Sequence, residues 1–189
     1  MSSAELQAVY IMWLRHVKLF IRARSRLIAN IIQPFFFLAF LGMGLRPTSL
    51  PGLPSGLGYL DFLTPGMIAM SVIFSSMFAG LSVIWYRQFG FLKEVLVAPV
   101  SRLSIVIGRT LGGSTAALIQ GIIILAAGVI LGARINISGI IPALIFILLI
   151  AFFAVGLGLS IAVKLKDPDV FPLLMNMLMM PSIFLSTAF

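Results

Sequence analysis

The side chains that could carry acid–base, nucleophilic or metal chemistry are few, and their positions rule most of it out. His16 is the only histidine and cysteine is absent, so neither a Cys/His zinc site nor a Ser-His-Asp triad can be assembled. The carboxylates are Glu5, Asp61, Glu94, Asp167 and Asp169, and none lies inside a long uncharged run. Proton-driven carriers keep buried acids as relays, because a proton needs somewhere to sit; that placement argues against one. The four lysines follow Val17, Leu92, Val163 and Leu165, which excludes the Gly-Lys-Ser/Thr core of a nucleotide-binding P-loop. No catalytic, metal-ligating or cofactor-binding residue is assigned to this chain.

What remains for recognition is polar but uncharged: Asn30, Gln33, Ser71, Ser75, Ser76, Gln120 and Asn176. Around them lie small residues at close spacing, Gly108-x-x-x-Gly112, Gly128-x-x-x-Gly132 and the pair Gly156/Gly158. One reading is helix packing, in which glycine permits close backbone approach and side-chain amides bond between helices for about 0.6 kcal/mol each. The other is that Gln33, Gln120 and Asn176 line a substrate path.

The elements that would position these groups follow from composition and charge. Hydrophobic residues make up 61% of the 189 positions, against about 45–50% in an ordinary soluble domain, and a soluble fold of this size could not hide so much apolar surface. Uncharged stretches cover 27–45, 62–86, 110–133, 135–163 and 170–189. A helix of about 20 residues crosses the hydrocarbon core. β-Barrel strands would be about half as long and would alternate polar with apolar, a pattern that is missing. The expected fold is all-α: a polytopic transmembrane helical bundle with five spans. Prolines 34, 65, 142, 172 and 181 fall within these spans, where kinks are tolerated if neighbours satisfy the freed carbonyls.

Orientation follows from the basic residues. With a cytoplasmic N-terminus, eleven of the thirteen Lys and Arg fall inside and only Arg46 and Arg134 outside, as the positive-inside rule requires. The net charge of +8 then points to anionic membrane lipid, not nucleic acid. Within residues 1–26, Leu6, Val9, Tyr10, Trp13, Leu14, Val17, Phe20 and Ile21 recur at helical spacing, with Arg15, Lys18 and Arg22 off that stripe. This predicts a cytoplasmic interfacial amphipathic helix, with Tyr10 and Trp13 at headgroup depth and Ser2 with Glu5 as a capping box. The remainder, 27–189, is one transmembrane domain in the cell membrane.

Residues 87–109 form a connector that is unusually apolar for one facing the cytoplasm. Phe89, Leu92 and Leu96 share a helical face, Lys93 and Glu94 project away from part of it, and Pro99 ends the helix. Such a helix can rest on lipid or fit a groove in a partner protein. The run F-G-F-L-K-E-V-L-V-A-P-V-S-R, followed by G-R-T-L-G-G, resembles the first cytoplasmic loop of ABC-2 type exporter permeases, most closely the daunorubicin-resistance drug-efflux branch. Q-P-F-F-F in the first span, L-T-P-G before the second and P-S-I-F-L-S in the fifth are similar to that family too.

The resemblance implies that residues 89–98 form a coupling helix docking on a separate ATP-binding cassette ATPase, with Gly90, Leu92, Glu94, Pro99 and Arg102 matching the pattern. Relatives often carry an acid near the positions of Tyr86 and Gln88, and this chain has none there. It implies a second permease copy as partner, with ATP and magnesium held on the ATPase and no cofactor here. Family members have six spans, so a missing sixth, by C-terminal truncation, is expected. The function implied is export of a drug, lipid or glycolipid-like substrate. An ATP-independent carrier or channel, or a membrane anchor or assembly subunit, are the alternatives.

Overall fold

The computed structural model describes residues 3–44, 58–90, 100–134, 136–165 and 167–185. Six helices account for nearly all of them: α1 (Ser3–Arg22), α2 (Arg24–Gly44), α3 (Tyr59–Gln88), α4 (Arg102–Ile130), α5 (Ile137–Lys164) and α6 (Val170–Leu185). No strand occurs among the described residues. The chain is an all-α helical membrane bundle, as its uncharged runs require. α3, α4 and α5 are each long and apolar enough to cross a bilayer. α1 and α2 are bent against each other by 66° at their break and together could make one broken span. The fifth expected span is represented by the shorter apolar helix α6. Ser2, proposed to cap α1, lies outside the described residues.

Prolines 34, 65, 142 and 181 sit inside α2, α3, α5 and α6. α5 shows why the bundle needs lipid: Ile141 and Phe153 are each 70% exposed and Phe146 is 65% exposed. So wide an apolar face is found on soluble proteins only where something covers it.

Packing centres on α3, which lies along both α5 and α4, while α1 lies along α4 and α2 against α3. One core joins α2 to α5 through Leu38, Leu63, Met67, Val72, Ala117, Ile124 and Ala151. The other joins α3, α5 and α6 through Met77, Ile84, Ala162, Phe171 and Met175. Lipid tails are as apolar as leucine, so close backbone approach must hold these helices together. The contact between α3 and α5 is the tightest. A β-carbon placed on Gly80 would sit 2.5 Å from the carbonyl carbon of Gly158 and closer still to its oxygen.

α4 uses two glycine faces. Gly108 and Gly112 meet Met12 and His16 of α1, while Gly113, Gly121 and Gly128 meet Ala79, Val72 and Thr64 of α3. The Gly108-x-x-x-Gly112 spacing is thus a packing motif. Gly128-x-x-x-Gly132 is only half of one. Gly132 has φ +101° and ends α4, with the amide of Ala133 donating to the carbonyl of Gly128 at 2.9 Å. Gly156 has nothing within 4 Å of a β-carbon.

The two ends of the bundle are tied differently. At one, the Asp61 carboxylate accepts from the backbone amides of Gly58 (2.8 Å) and Arg134 (2.5 Å), joining the start of α3 to the turn after α4. At the other, the Arg87 guanidinium donates to the carbonyls of Val163 (3.1 Å) and Leu165 (3.3 Å). These are terminal carbonyls of α5 that the helix itself cannot satisfy.

Candidate functional site

One edge of the amphipathic stripe of α1 packs on α4, while Leu6, Tyr10 and Ile21 stay exposed. Trp13 donates its indole N–H to the Thr115 hydroxyl at 3.0 Å, and that hydroxyl donates to the Leu111 carbonyl at 2.8 Å. No residue of α1 is fully buried, so its other faces remain open. Where α1 turns into α2, the two helices, α3 and α4 enclose a cavity of about 250 Å³. His16, Asn30, Ser75 and Ser82 give it polar walls, and Leu19, Phe20 and Leu27 apolar ones. The Ser82 hydroxyl is already committed to the Ala79 carbonyl (2.7 Å).

Tyr86 closes the cavity at the end of α3. Its ring carries two guanidinium groups, Arg109 at 4.7 Å and Arg15 at 5.2 Å from the centroid. These distances are in the range of cation–π attraction. Three helices therefore bring one aromatic and two cations to one point.

Below the cavity wall formed by Gly113 and Ala116, the next residue on the same face of α4 is Gln120, one turn further along. It is 0% exposed, and neither atom of its amide finds a hydrogen-bond partner among the described residues. The hydroxyls of Ser76 and Ser114 are buried and unpartnered in the same way. Ser71, by contrast, donates to the Ile68 carbonyl at 2.9 Å. A buried polar group without a partner costs about 1–3 kcal/mol, and such groups mark sites where something is exchanged or strained.

The three residues considered for a substrate path do not converge. Gln33 is exposed on α2, Gln120 is buried in α4, and Asn176 is exposed on α6 beside a small cavity lined by Phe74 and Phe171. Of the coupling residues, Phe89 is 80% exposed, Gly90 takes φ +75° as α3 ends, and Arg102 is exposed at the first position of α4. Leu92, Lys93, Glu94, Leu96 and Pro99 lie outside the described residues, as does most of the expected helix over 89–98. The cluster of Arg15, Tyr86 and Arg109 is not singled out by sequence reasoning. The signal for it is an aromatic at the end of one apolar run and an arginine just before the next.

A second cavity, of about 460 Å³, opens between α3, α4 and α5 at the Asp61 end, with walls that include Pro65, Ile68, Leu125 and Phe146.

A sequence profile described as ABC-2 type transporter matches residues 7–189. The chain is 30% identical over 178 residues to a putative transport permease, ycf38, of Cyanophora paradoxa, covering 90% of this chain and 61% of that one. The ycf38 protein of Porphyra purpurea is 33% identical over 174 residues, covering 88% and 58%. A probable doxorubicin resistance ABC transporter permease protein, DrrC, of Mycobacterium tuberculosis is 30% identical over 135 residues, covering 71% and 46%. The chain spans about three fifths of the length of the ycf38 relatives. No solved structure matches it.

Proposed function

This chain belongs to the ABC-2 type transporter family, and from that premise we propose that it is the membrane subunit of an ATP-driven exporter working with a separate ATPase. The family match over residues 7–189 carries the reading. The missing P-loop supports the division of labour: ATP and magnesium reside on the partner, and this chain supplies the path and the mechanical linkage. Two permease copies and two ATPase subunits make the working assembly. The substrate is an amphiphile of the drug, lipid or glycolipid kind. Resistance to doxorubicin is named for one relative only, while the mixed polar and apolar walls of the cavity between α1 and α4 suit the wider class.

In this reading the Tyr86 end of the bundle faces the cytoplasm of a cell membrane. Because cysteine is absent, Ser49→Cys and Gln88→Cys are clean single-site reporters. An impermeant thiol reagent outside intact cells is expected to label the first and spare the second. Labelling of Gln88→Cys alone would invert the orientation.

Residues 89–98 act as the coupling helix, with Phe89, Leu92 and Leu96 in a groove of the ATPase and Glu94 meeting a donor there. Gly90 lets the chain turn out of α3, Lys93 stays outside the groove, and Pro99 with Arg102 ends the helix and leads into α4. Glu94→Arg is expected to abolish stoichiometric recovery of the ATPase and to cut export about ten-fold or more, since a buried donor loses its acceptor and gains a like charge. Leu92→Ala should loosen the complex by about 1 kcal/mol or more if it is a hot spot. Membrane expression of both variants should match the unmodified chain. If the segment merely rests on an anionic lipid surface, another basic residue suits it, and normal export by Glu94→Arg would dismiss the coupling role.

A further inference from the structure

We propose that the cavity at the Asp61 end of α3, α4 and α5 holds a resident ethanolamine phospholipid, its ammonium on the Asp61 carboxylate and one acyl chain along α5. The proposal rests on membrane embedding and not on the exporter reading.

The shape of the cavity is that of an amphiphile. It encloses about 460 Å³, within the range of small-molecule sites. Its α5 wall runs from Gly139 through Ala143 and Phe146 to Ile150, a rise of about 16 Å at 1.5 Å per residue. That is about the depth of one leaflet in a hydrocarbon core of about 30 Å. The polar groups of the wall, Thr64 apart, gather at one end: Asp61, Arg134 and Asn136. The Thr64 hydroxyl is committed to the Leu60 carbonyl at 2.7 Å. Deeper in, the wall is apolar. Phe146 forms part of it and is largely exposed on the lipid-facing side of α5, so the depth of the cavity is reached from acyl chains and not from water.

The mouth selects the head. An ionised carboxylate has about four acceptor positions, and the amides of Gly58 and Arg134 fill two of those on Asp61. The others suit the N–H groups of an ammonium, which choline lacks. Pro65 adds an acceptor, since it has no amide to give the Asp61 carbonyl four residues earlier. Asn136 supplies the opposite partner. Its side-chain oxygen accepts from the amide (3.2 Å) and the hydroxyl (2.9 Å) of Ser138, which leaves its NH2 to donate to a phosphate oxygen. With Arg134 the mouth carries one charge of each sign, matching a zwitterion better than a lipid of net charge.

The test counts lipids. The whole chain, purified in mild detergent, is equilibrated with equimolar phosphatidylethanolamine and phosphatidylcholine bearing identical acyl chains, and the lipids retained per chain are identified by native mass spectrometry. One lipid per chain is expected, with the ethanolamine form preferred about ten-fold, the factor one charge-assisted hydrogen bond provides. Asp61→Asn removes the charge and should bring that ratio to about one while a lipid is still retained. If that variant fails to fold, the N-methylated series of the same phospholipid reads the head without any substitution, and preference should fall as N–H groups are lost. Ala143→Phe fills the groove and should abolish retention of both lipids. Gly139→Leu is the gentler filler, since a β-carbon there meets nothing within 4 Å, and should also abolish it. Gly156→Leu, equally unobstructed on α5 but outside the cavity, should retain lipid as the unmodified chain does.

No retained lipid, or equal retention of the two lipids by the unmodified chain, overturns the site. So does retention that survives both groove-filling variants. Stronger retention of phosphatidylglycerol than of phosphatidylethanolamine would overturn the ammonium contact with Asp61. Displacement of the lipid by millimolar phosphoethanolamine would identify a site for the soluble head instead of a membrane lipid.

Discussion

Gly80→Val is expected to prevent recovery of a monodisperse protein in mild detergent. A β-carbon at this position would meet the carbonyl of Gly158, with the carbonyl carbon at 2.5 Å and the Gly158 Cα at 3.1 Å. The obstacle is backbone, so no side chain can swing aside. Valine adds two methyl groups to that collision, and relief requires α3 and α5 to separate along much of their length. Overpacking in a core commonly costs about 1–3 kcal/mol. Here the cost falls on a contact whose attraction depends on close approach, so it should lie at or beyond the upper end. Gly156→Val is the matched control, two positions away on α5, where nothing lies within 4 Å of a β-carbon. It should leave the elution profile and thermal unfolding nearly unchanged. Equal behaviour of the two variants in size-exclusion chromatography would show that α3 and α5 do not meet at this point.

Gln120→Leu is expected to have the opposite sign, making the chain more stable and less active. The side chain is 0% exposed and its amide nitrogen and oxygen lack partners among the described residues. Replacement by an apolar group of similar shape removes a desolvation cost of about 1–3 kcal/mol for each such group. For a chain of this length 1 kcal/mol corresponds to about 2–4 °C, so the unfolding midpoint should rise by several degrees. Gln120→Ala should not show this gain, because the space it leaves forfeits packing. Transport should fall in Gln120→Leu, since a buried unsatisfied amide one turn from the cavity wall is a group that another arrangement of the helices would employ. A lowered midpoint would mean that Gln120 does have a partner in the membrane.

The spans could be read from the sequence because a charge is excluded from hydrocarbon wherever it occurs, and the runs around 62–86, 110–133 and 135–163 map onto α3, α4 and α5. The α1 helix was legible from its three-and-four spacing, but not its position. An apolar stripe states that something covers it, and here α4 meets only its Val9 and Trp13 edge, beside Met12 and His16. Small residues repeat every fourth position at Ser76/Gly80 and at Ala154/Gly158/Ala162, so the closest contact in the bundle left a trace. What the pattern cannot state is which small face meets which. Gly132 illustrates the converse, since the same residue type at the same spacing serves a turn with positive φ. Gln33, Gln120 and Asn176 look alike as polar residues in apolar runs. Their burial differs because each depends on the rotation of its helix about its own axis, which neighbours fix and local sequence does not. The convergence of Arg15 and Arg109 on Tyr86 depends in the same way on three helices at once.

The bond from Trp13 to Thr115 joins residues 102 positions apart, and that separation has a consequence during synthesis. A ribosome adding about 5–20 residues per second finishes α1 about 5–20 s before the surface it will pack on exists. Throughout that interval the nascent α1 lacks the α4 surface it packs on most extensively, and its apolar stripe would be an invitation to chaperones or to aggregation. The interface of the bilayer provides a waiting place for a helix of this kind, with Arg15, Lys18 and Arg22 keeping it from sinking further. The stripe thus serves two partners in sequence: first the lipid surface, and then α4 once Gly108 and Gly112 have been threaded into the membrane. A slow step in biogenesis, visible as delayed protection of α1 from protease after the later helices are inserted, follows from that order of arrival.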